Sequence, residues 1–340
     1  MKYNLLGSTG LLVSEICFGT MTFGGDGYWE AIGSLQQNEA NELIKQSVDA
    51  GINFIDTANM YSFGLAEKIL GQSLKDLGIN RNEIVIATKV LGRMNDKPNS
   101  AGLSRYHIFN SVDESLQRLQ MNHIDLLYVH GVDALTPLEE IMHSLHDIVL
   151  TGKVRYIAVC NWPAWMVMKA QGIANANGWN KFVALQYYYS LASRDIEREI
   201  IPMALDQGLA IMPWSPLAGG FLTGKYRRDK EKSGNGRRDD FDFPPINKEK
   251  AYHIIDVLDE IAAQKEASIA QIALAWVRLR SGITSTIIGA KKAEQLQQNI
   301  ASASLILSPE DLSKIDKVSA LTKEYPGWMV ERQSAYRTLS

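Results

Sequence analysis

The sequence predicts a (β/α)8 barrel from three observations: the chain length, the character of its short apolar runs, and their alternation with amphipathic segments. At 340 residues, an α/β barrel is the usual architecture for one large domain, which we expect to span 1–340. Eight short runs rich in Ile, Val, Leu and aromatic residues lack polar alternation, as strands buried in a parallel sheet do. These runs lie at 15–18, 54–56, 84–88, 124–129, 154–159, 183–186, 210–214 and 284–288.

Helix-like segments separate these apolar runs. Segment 104–119 starts with Ser104, a residue type that caps helix N-termini, and its apolar side chains share one face. Pro137 suits the first position of the next helix, because the N–H that it lacks is unpaired there anyway. A doubly wound sheet is the alternative, but no Gly-x-Gly-x-x-Gly follows the first predicted strand. Other helices are predicted at 38–49, 194–207, 248–265 and 292–300.

Four kinds of segment lie outside the repeated strand–helix pattern: a hairpin, a long loop, extra helices and a C-terminal tail. Residues 3–13, with Gly-Ser-Thr-Gly at their centre, predict a hairpin that plugs the open base of the barrel. Roughly thirty residues without periodicity follow the seventh predicted strand, and loops of that length are usually functional. Extra helices are predicted over 268–280 and from Ser308 onward. The tail after Tyr325 is expected to pack across the barrel.

Composition and charge exclude several classes of protein. The 46% of hydrophobic residues is too high for a disordered chain. With 35 Lys and Arg against 38 Asp and Glu, the net charge of −3 gives no basic surface for nucleic acid or an anionic membrane. No run approaches the roughly 18 apolar residues of a membrane span, and the first residues do not form an export signal. We therefore expect a cytoplasmic protein in which Cys17 and Cys160 stay reduced.

Polar side chains end most of the predicted strands, and in a barrel these ends meet at one mouth. Asp56, Lys89 and His130 follow three successive strands. Tyr61 lies in the loop after Asp56, over the mouth. A nearby ammonium favours the phenolate of tyrosine, whose ordinary pKa is about 10, and Asp56 would hold Lys89 charged. Tyr61 would then donate a proton to a carbonyl oxygen that His130 orients.

This constellation resembles the aldo-keto reductase superfamily over nearly the whole chain. The motifs that carry the resemblance begin with Gly-Ile-Asn-Phe-Ile-Asp-Thr-Ala-x-x-Tyr at 51–61 and continue at 66–71, 87–89, 124–130, 152–157, 161–162, 213–220 and 287–299. The most similar branch is the bacterial one that contains potassium-channel β-subunit-like and sugar-type aldo/keto reductases. The resemblance implies a catalytic tetrad, with Tyr61 as general acid and base, and no metal. The tetrad would be Asp56, Tyr61, Lys89 and His130.

The resemblance also implies NADPH bound across the barrel mouth, with NADH left open. Asn161 and Gln186 would hold the carboxamide, and Trp214 would stack on the nicotinamide. Lys291 and Lys292 suit a 2′-phosphate at the start of a helix. The other implied cofactor contacts are Gly19, Thr20, Met21, Asp56, Ser215, Pro216, Leu217, Gly219, Gly220, Lys225, Gly289, Ala290, Gln295, Gln298 and Asn299.

Two residues depart from the usual pattern of the superfamily. Cys160 stands where Ser usually precedes the Asn, and a thiol is a weak hydrogen-bond partner. Gln298 stands where Glu is common, which weakens the expected hold on the adenine amino group. Neither departure touches the tetrad.

The implied function is reversible reduction of an aldehyde or ketone, with hydride from the nicotinamide and a proton from Tyr61. The expected substrate pocket is aromatic and suits a sugar, an aryl aldehyde or a bulky ketone. One alternative is an NADPH-binding regulatory or redox-sensing protein with slow turnover, as channel β-subunits are. A metal-dependent barrel isomerase is a second alternative. The oligomeric state is not predicted by the sequence, and a homo-oligomer is possible. The expected pocket residues are Tyr28, Trp29, Phe63 and Trp162.

Overall fold

A computed structural model of the protein describes residues 1–25, 27–230, 232, 234 and 236–337. Within them the strands are β1 (Tyr3–Leu5), β2 (Leu12–Ser14), β3 (Ile16–Gly19), β4 (Phe54–Asp56), β5 (Val85–Val90), β6 (Ile124–Val129), β7 (Val154–Cys160), β8 (Phe182–Tyr188), β9 (Ala210–Trp214) and β10 (Thr286–Ile288). The helices are α1 (Gln37–Asp49), α2 (Leu65–Asp76), α3 (Arg105–Leu119), α4 (Leu138–Leu150), α5 (Ala164–Asn177), α6 (Ile200–Gln207), α7 (Arg237–Asp240), α8 (Lys248–Gln264), α9 (Ile269–Arg278), α10 (Ala293–Ala301), α11 (Pro309–Ser319) and α12 (Gly327–Ser334). Turns of 3-10 helix include Gly27–Ala31, Tyr61–Gly64, Asp195–Glu197 and Ala218–Thr223.

Eight of these strands form the barrel that the sequence predicts. Their order in the sheet is β10-β3-β4-β5-β6-β7-β8-β9, and neighbouring strands run parallel. A bridge between Ile211 and Ile283 closes the ring between β9 and β10. There the Thr284 N–H donates to the Ile211 carbonyl oxygen at 2.9 Å. The carboxyl ends of the eight strands therefore meet at one mouth.

The alternation of side chains along each strand decides which residues reach this mouth. Phe54 and Ala87 belong to the apolar cluster inside the barrel. Two positions further along the same strands stand Asp56 and Lys89. The layer above the apolar interior is therefore polar, although its members are distant in sequence. The same spacing from inner-cluster residues adds His130 and Gln186 to this layer.

The predicted N-terminal hairpin is present and closes the base of the barrel. Strands β1 and β2 pair antiparallel, and the fully buried Leu6 and Val13 join the cluster inside the barrel. At Gly7, with φ of +59°, an ideal Cβ would lie 2.5 Å from the Val183 carbonyl oxygen and 2.7 Å from that of Gly208. A glycine is therefore required where the hairpin touches the barrel.

The predicted helices are present with small shifts at their ends, but the pattern misses four helices, α2, α5, α7 and α12, and one break. Segment 194–207 is divided into the turn Asp195–Glu197 and helix α6. Helix α5 was not predicted, because it has apolar residues on its exposed side, including Trp165 at 66% and Met168 at 38% exposed. Helix α2 was not predicted either, since its N-cap is Gly64 in the left-handed region without a side-chain cap.

The expectation that the C-terminal tail packs across the barrel is wrong. Helix α12 has no buried residue, and Tyr325 and Tyr336 are 74% and 71% exposed. The segment leading into the tail is fixed by polar contacts, such as Arg198 Nη2 to Glu324 Oε1 at 3.2 Å. Residues 338–340 lie outside the described part of the chain. Among the described helices, none has the length and apolar character to cross a membrane.

Candidate active site

Three members of the predicted tetrad are in direct contact at the barrel mouth. The Nζ of Lys89, on β5, donates to Asp56 Oδ2 at 2.5 Å and to the Thr57 carbonyl oxygen at 2.8 Å. The same Nζ lies 3.3 Å from the Tyr61 hydroxyl and 4.9 Å from the centre of the Tyr61 ring. The Lys89 side chain is fully buried. An ammonium, a carboxylate and a phenol thus share one water-poor site.

The orientation of the Asp56 carboxylate is fixed at both oxygens. While Oδ2 accepts from Lys89, Oδ1 accepts from Gln186 Nε2 at 2.9 Å. The backbone carbonyl of Asp56 accepts from the Thr20 N–H at 2.9 Å and from the Thr20 hydroxyl at 3.2 Å. The end of β4 is therefore held by Thr20, which follows β3, and by Gln186 on β8, and Asp56 presents a fixed charge to Lys89.

Burial and neighbouring charges shift the pKa values of Tyr61 and Lys89 in opposite directions. Burial raises the pKa of Tyr61, and the Lys89 ammonium offsets this only in part. Burial disfavours the charge on Lys89, but Asp56 and Tyr61 outweigh it, so the pKa of Lys89 is raised. An ammonium does favour the phenolate, as expected, yet desolvation is the larger effect here. At neutral pH the site holds a neutral phenol beside a charged ammonium.

His130 follows β6 and faces Tyr61 across the mouth. The two ring centres are 6.0 Å apart and the planes meet at 76°. Burial, together with the charge of Lys89, lowers the pKa of His130 to about 3. Its Nδ1 is buried and has no hydrogen-bond partner among the described residues. A neutral imidazole can donate one hydrogen bond and accept another, so His130 can orient an oxygen atom without supplying a proton.

A buried ion pair fixes β5 against the helices behind it. Glu67 is fully buried, and it accepts from the Thr88 hydroxyl and from Arg118 Nε, each at 2.6 Å. Thr88 precedes Lys89, so this pair sets the position of the strand that carries the ammonium. An ideal Cβ on Gly64 would lie 2.5 Å from Arg118 Cδ. Only glycine fits where this arginine passes the turn after Tyr61.

Asn161 and Trp214 form a second polar and aromatic group at the mouth. Asn161 Nδ2 donates to the His130 carbonyl oxygen at 3.2 Å, and its Oδ1 accepts from Trp214 Nε1 at 3.1 Å. Asn161 holds this position with φ of +59°. The Trp214 ring stacks on Tyr188, with centres 5.0 Å apart, and on Phe243, at 5.8 Å and 9°. A flat aromatic surface therefore lies beside the tetrad, with Phe243 stacked against it.

The long loop after β9 folds back toward the mouth, and two arginines hold it there by hydrogen bonds to backbone carbonyl oxygens. Arg237 Nη2 donates to the Phe243 carbonyl oxygen at 2.9 Å. The buried Arg238 donates from Nη1 to the carbonyl oxygens of Ala218 and Pro244, at 2.9 and 2.8 Å, and pairs with Asp242. Sequence reasoning missed these arginines, because the segment has no periodicity and its contacts are tertiary.

Two cations near β10 provide a place for an anion. Partial burial and the Arg237 guanidinium lower the pKa of Lys291, while burial and Arg238 lower the pKa of Arg237. Arg237 Nε is buried without a hydrogen-bond partner among the described residues. A phosphate between such cations would relieve their repulsion and supply the missing acceptor. The residues present therefore fit the phosphate of a dinucleotide.

The remaining predicted cofactor residues lie at the end of β3, in the loops after β3, β9 and β10, and on α10. Gly19 ends β3, where an ideal Cβ would lie 2.9 Å from Ile287 Cγ2. Asn299 Nδ2 donates to the Gly289 carbonyl oxygen at 3.3 Å, and Gln295 Oε1 accepts from the Lys291 N–H at 3.0 Å. Gln295, Gln298 and Asn299 share one face of α10 by their spacing. Residues of the loops after β3, β9 and β10 complete this group: Thr20, Met21, Ser215, Pro216, Leu217, Gly219, Gly220, Lys225 and Ala290.

The predicted substrate-pocket residues differ in how far their side chains are exposed. The Trp29 ring packs edge-on against Tyr61, with centres 5.4 Å apart, and Phe63 is 43% exposed in the turn after Tyr61. Trp162 is only 1% exposed; its Nε1 donates to the Gly131 carbonyl oxygen at 2.8 Å and its ring packs on Phe182. Of these three side chains, only Phe63 is exposed; Trp29 is 4% exposed and lies against Tyr61, and the Trp162 ring is enclosed. The side chain of Tyr28 lies outside the described residues.

Both cysteines are free thiols inside the barrel. Burial raises the pKa of the Cys17 thiol and of the Cys160 thiol, so both remain protonated and unreactive at neutral pH. Among the described side chains, no three of His, Cys, Asp or Glu are grouped closely enough to hold a metal ion.

Comparisons with known proteins identify the family of this chain. The sequence model of the Aldo/keto reductase family matches residues 15–320. Versiconal hemiacetal acetate reductase of Aspergillus parasiticus is 36% identical, over 96% of this chain and 99% of its own. The uncharacterized oxidoreductase YrpG of Bacillus subtilis is 36% identical over 99% of both chains. A probable voltage-gated potassium channel subunit beta of Oryza sativa is 33% identical over 99% of this chain and 100% of its own. The chain therefore belongs to the aldo/keto reductase family of NAD(P)H-dependent oxidoreductases.

Proposed function

We propose that this protein reduces an aldehyde or ketone to the alcohol with NADPH, in a reversible reaction. The observation that carries the proposal is the contact of the Tyr61 hydroxyl with Lys89 Nζ at 3.3 Å, next to Asp56. A phenol held protonated by burial and polarised by an ammonium is suited to give a proton to a carbonyl oxygen. The aromatic rings of Trp29, which packs against Tyr61, and of the exposed Phe63 support a small organic carbonyl substrate.

Each residue of the site has a part in this reaction. The nicotinamide, when bound, supplies the hydride that the carbonyl carbon receives. Tyr61 donates its proton to the carbonyl oxygen, and Lys89 stabilises the phenolate that remains. Asp56 keeps Lys89 charged and in place. Neutral His130 donates a hydrogen bond to the same oxygen and fixes its direction.

The pH dependence follows from these pKa directions. Tyr61 must be protonated for reduction, and its pKa is raised above 10 by burial. His130, with a pKa lowered to about 3, stays neutral throughout the working range. We therefore expect kcat at saturating cofactor to be flat between about pH 6 and 9, since neither group titrates there. Stopped-flow rates of reduction across this range test this, and an inflection near the ordinary pKa of histidine would contradict it.

A cluster of cations supports NADPH rather than NADH. Lys291 and Lys292 precede α10, and Arg237 is close enough to Lys291 to lower the pKa of Lys291. In the Lys291→Ala/Lys292→Ala variant we expect the Kd of NADPH to rise about tenfold while that of NADH changes little, because only NADPH carries the extra phosphate. Fluorescence titration with both cofactors measures this difference.

A matched control separates the effect of losing the phosphate contact from the effect of losing two positive charges. Lys314 and Lys317 are two lysines on α11, away from the cofactor residues predicted at the barrel mouth. The Lys314→Ala/Lys317→Ala variant has the same net charge as the test variant and should bind both cofactors as the unchanged protein does. Equal weakening of NADPH and NADH by the Lys291 and Lys292 substitutions would remove the reason for preferring NADPH.

A regulatory protein that binds NADPH with slow turnover is the second candidate. The observation in its favour is the 33% identity to a probable voltage-gated potassium channel subunit beta. Single-turnover measurements distinguish the two, because they detect hydride transfer even where product release is slow. Tight NADPH binding without cofactor oxidation by any carbonyl compound would favour this candidate.

A panel of carbonyl compounds tests the main proposal. The panel includes 4-nitrobenzaldehyde, methylglyoxal, an aldose and a bulky aryl ketone, each with NADPH and NADH. Loss of the nicotinamide absorbance, dependent on carbonyl and unchanged by a chelator, is the expected result. The chelator arm also tests the metal-dependent isomerase alternative, for which activity would need metal and no nicotinamide.

A further inference from the structure

The turn that carries Tyr61 has an unusual backbone. Ser62, Phe63 and Gly64 follow it directly, with φ of 47°, 50° and 91°. Residues with a Cβ avoid the left-handed region, and two such residues in succession are costly. The surroundings must therefore hold this turn in place.

The Ser62 side chain makes the bonds that hold it. Ser62 is 2% exposed, and its hydroxyl donates to the Phe23 carbonyl oxygen at 2.9 Å and accepts from the Gly25 N–H at 2.9 Å. Between these partners, an ideal Cβ on Gly24 would lie 2.7 Å from Ser62 Cβ. The Ser62 hydroxyl thus ties the turn after Tyr61 to segment 20–36, which joins β3 to α1.

That segment carries one wall of the expected substrate pocket. Trp29, in the turn Gly27–Ala31, has its ring 5.4 Å from the Tyr61 ring, at an angle of 65°. Phe63 Cε2 lies 3.7 Å from an ideal Cβ on Gly27. The segment and the turn after Tyr61 therefore touch at both the polar bridge and the aromatic wall.

We propose that Ser62 is a positioning residue, which holds the Trp29 wall at a fixed distance from the Tyr61 hydroxyl. The proposal rests on the carbonyl reduction proposed above. A substrate beside the Trp29 ring must place its carbonyl oxygen at the Tyr61 hydroxyl, and small displacements from that geometry reduce rates strongly. The bridge acts on Trp29 through the backbone of Phe23 and Gly25, and it does not touch the reacting atoms.

Two substitutions at Ser62 separate the effect of losing the hydroxyl from the effect of relieving the backbone strain. Ser62→Gly removes the hydroxyl and relieves the left-handed strain, whereas Ser62→Ala removes the hydroxyl and keeps the strain. If the hydroxyl matters, both variants lose about tenfold in kcat/KM for an aryl aldehyde and keep the Kd of NADPH, although their Tm values differ. Hydrogen exchange in peptides covering Gly25 should become faster in both, because its N–H loses its acceptor.

Ser14→Ala provides the matched control. The Ser14 hydroxyl also bridges two backbone groups, donating to the Ile16 carbonyl oxygen at 2.6 Å and accepting from the Asn53 N–H at 3.2 Å. It is fully buried near the base of the barrel, so its loss should lower Tm and leave kcat/KM unchanged.

A double-mutant cycle with Trp29→Ala decides whether the bridge acts through the wall. In the Trp29→Ala background, Ser62→Gly should have less than about a twofold effect on kcat/KM. A full tenfold effect in that background, or normal kinetics in both single variants, would overturn the proposal. Absence of turnover in the unchanged protein would instead refute the carbonyl reduction, and the exchange at Gly25 would still report on the bridge.

Discussion

Tyr61→Phe is expected to lower kcat for carbonyl reduction by about 10²- to 10⁴-fold while leaving the Kd of NADPH nearly unchanged. The phenylalanine keeps the ring packed against Trp29 and beneath Lys89 Nζ, which lies 4.9 Å from the ring centre. It removes only the hydroxyl that donates the proton. Because that hydroxyl acts mainly in the transition state, the loss should fall on kcat rather than on cofactor binding. Single-turnover rates and fluorescence titration measure the two quantities separately.

Tyr128→Phe is a suitable control for this experiment. Tyr128 is a second buried phenol facing the same ammonium, with Lys89 Nζ 5.9 Å from its ring centre. Its ring lies in the inner cluster beneath the mouth. We expect this variant to keep kcat within about twofold. If Tyr61→Phe weakened NADPH binding as much as it lowered kcat, the role of proton donor would have to be withdrawn.

The convergence of Asp56, Lys89 and His130 at one mouth could be predicted from sequence because strand periodicity is a local property. Asp56 and Lys89 each lie two residues after an inner-cluster position, so buried strands in the right order are enough to bring them to one mouth. The same reasoning does not give the burial of these side chains or the distances between them. It predicted that the ammonium favours the phenolate, whereas desolvation raises the pKa of Tyr61 in the folded protein.

Tertiary contacts account for what the sequence did not predict. Arg237 lies within electrostatic range of Lys291, and lowers the pKa of Lys291, only when the loop after β9 folds back. Nothing in the local pattern of that loop indicates its direction. Phe243 stacks on Trp214 for the same reason. Ser62 looks like an ordinary loop serine in sequence, because its left-handed backbone and its bonds to Phe23 and Gly25 arise only in the fold.

Lys89→Met is expected to have the largest effect on stability as well as abolishing turnover. The Lys89 and Asp56 side chains are 0% and 4% exposed, and removing the ammonium leaves a buried carboxylate whose remaining side-chain partner is Gln186. Breaking a buried ion pair in this way costs about 3–5 kcal/mol of unfolding free energy. Urea unfolding, followed by fluorescence, measures this loss through the transition midpoint.

The double variant Asp56→Asn/Lys89→Met separates folding from catalysis at this pair. With both charges gone, no uncompensated ion remains, and the amide oxygen of the introduced asparagine can still accept from Gln186 Nε2. The unfolding free energy should therefore recover most of the amount lost in Lys89→Met. The kcat should not recover, because no ammonium remains to stabilise the Tyr61 phenolate. A double variant as unstable as Lys89→Met would mean that packing rather than charge compensation decides stability here, and one that turned over normally would mean that Tyr61 needs no cation.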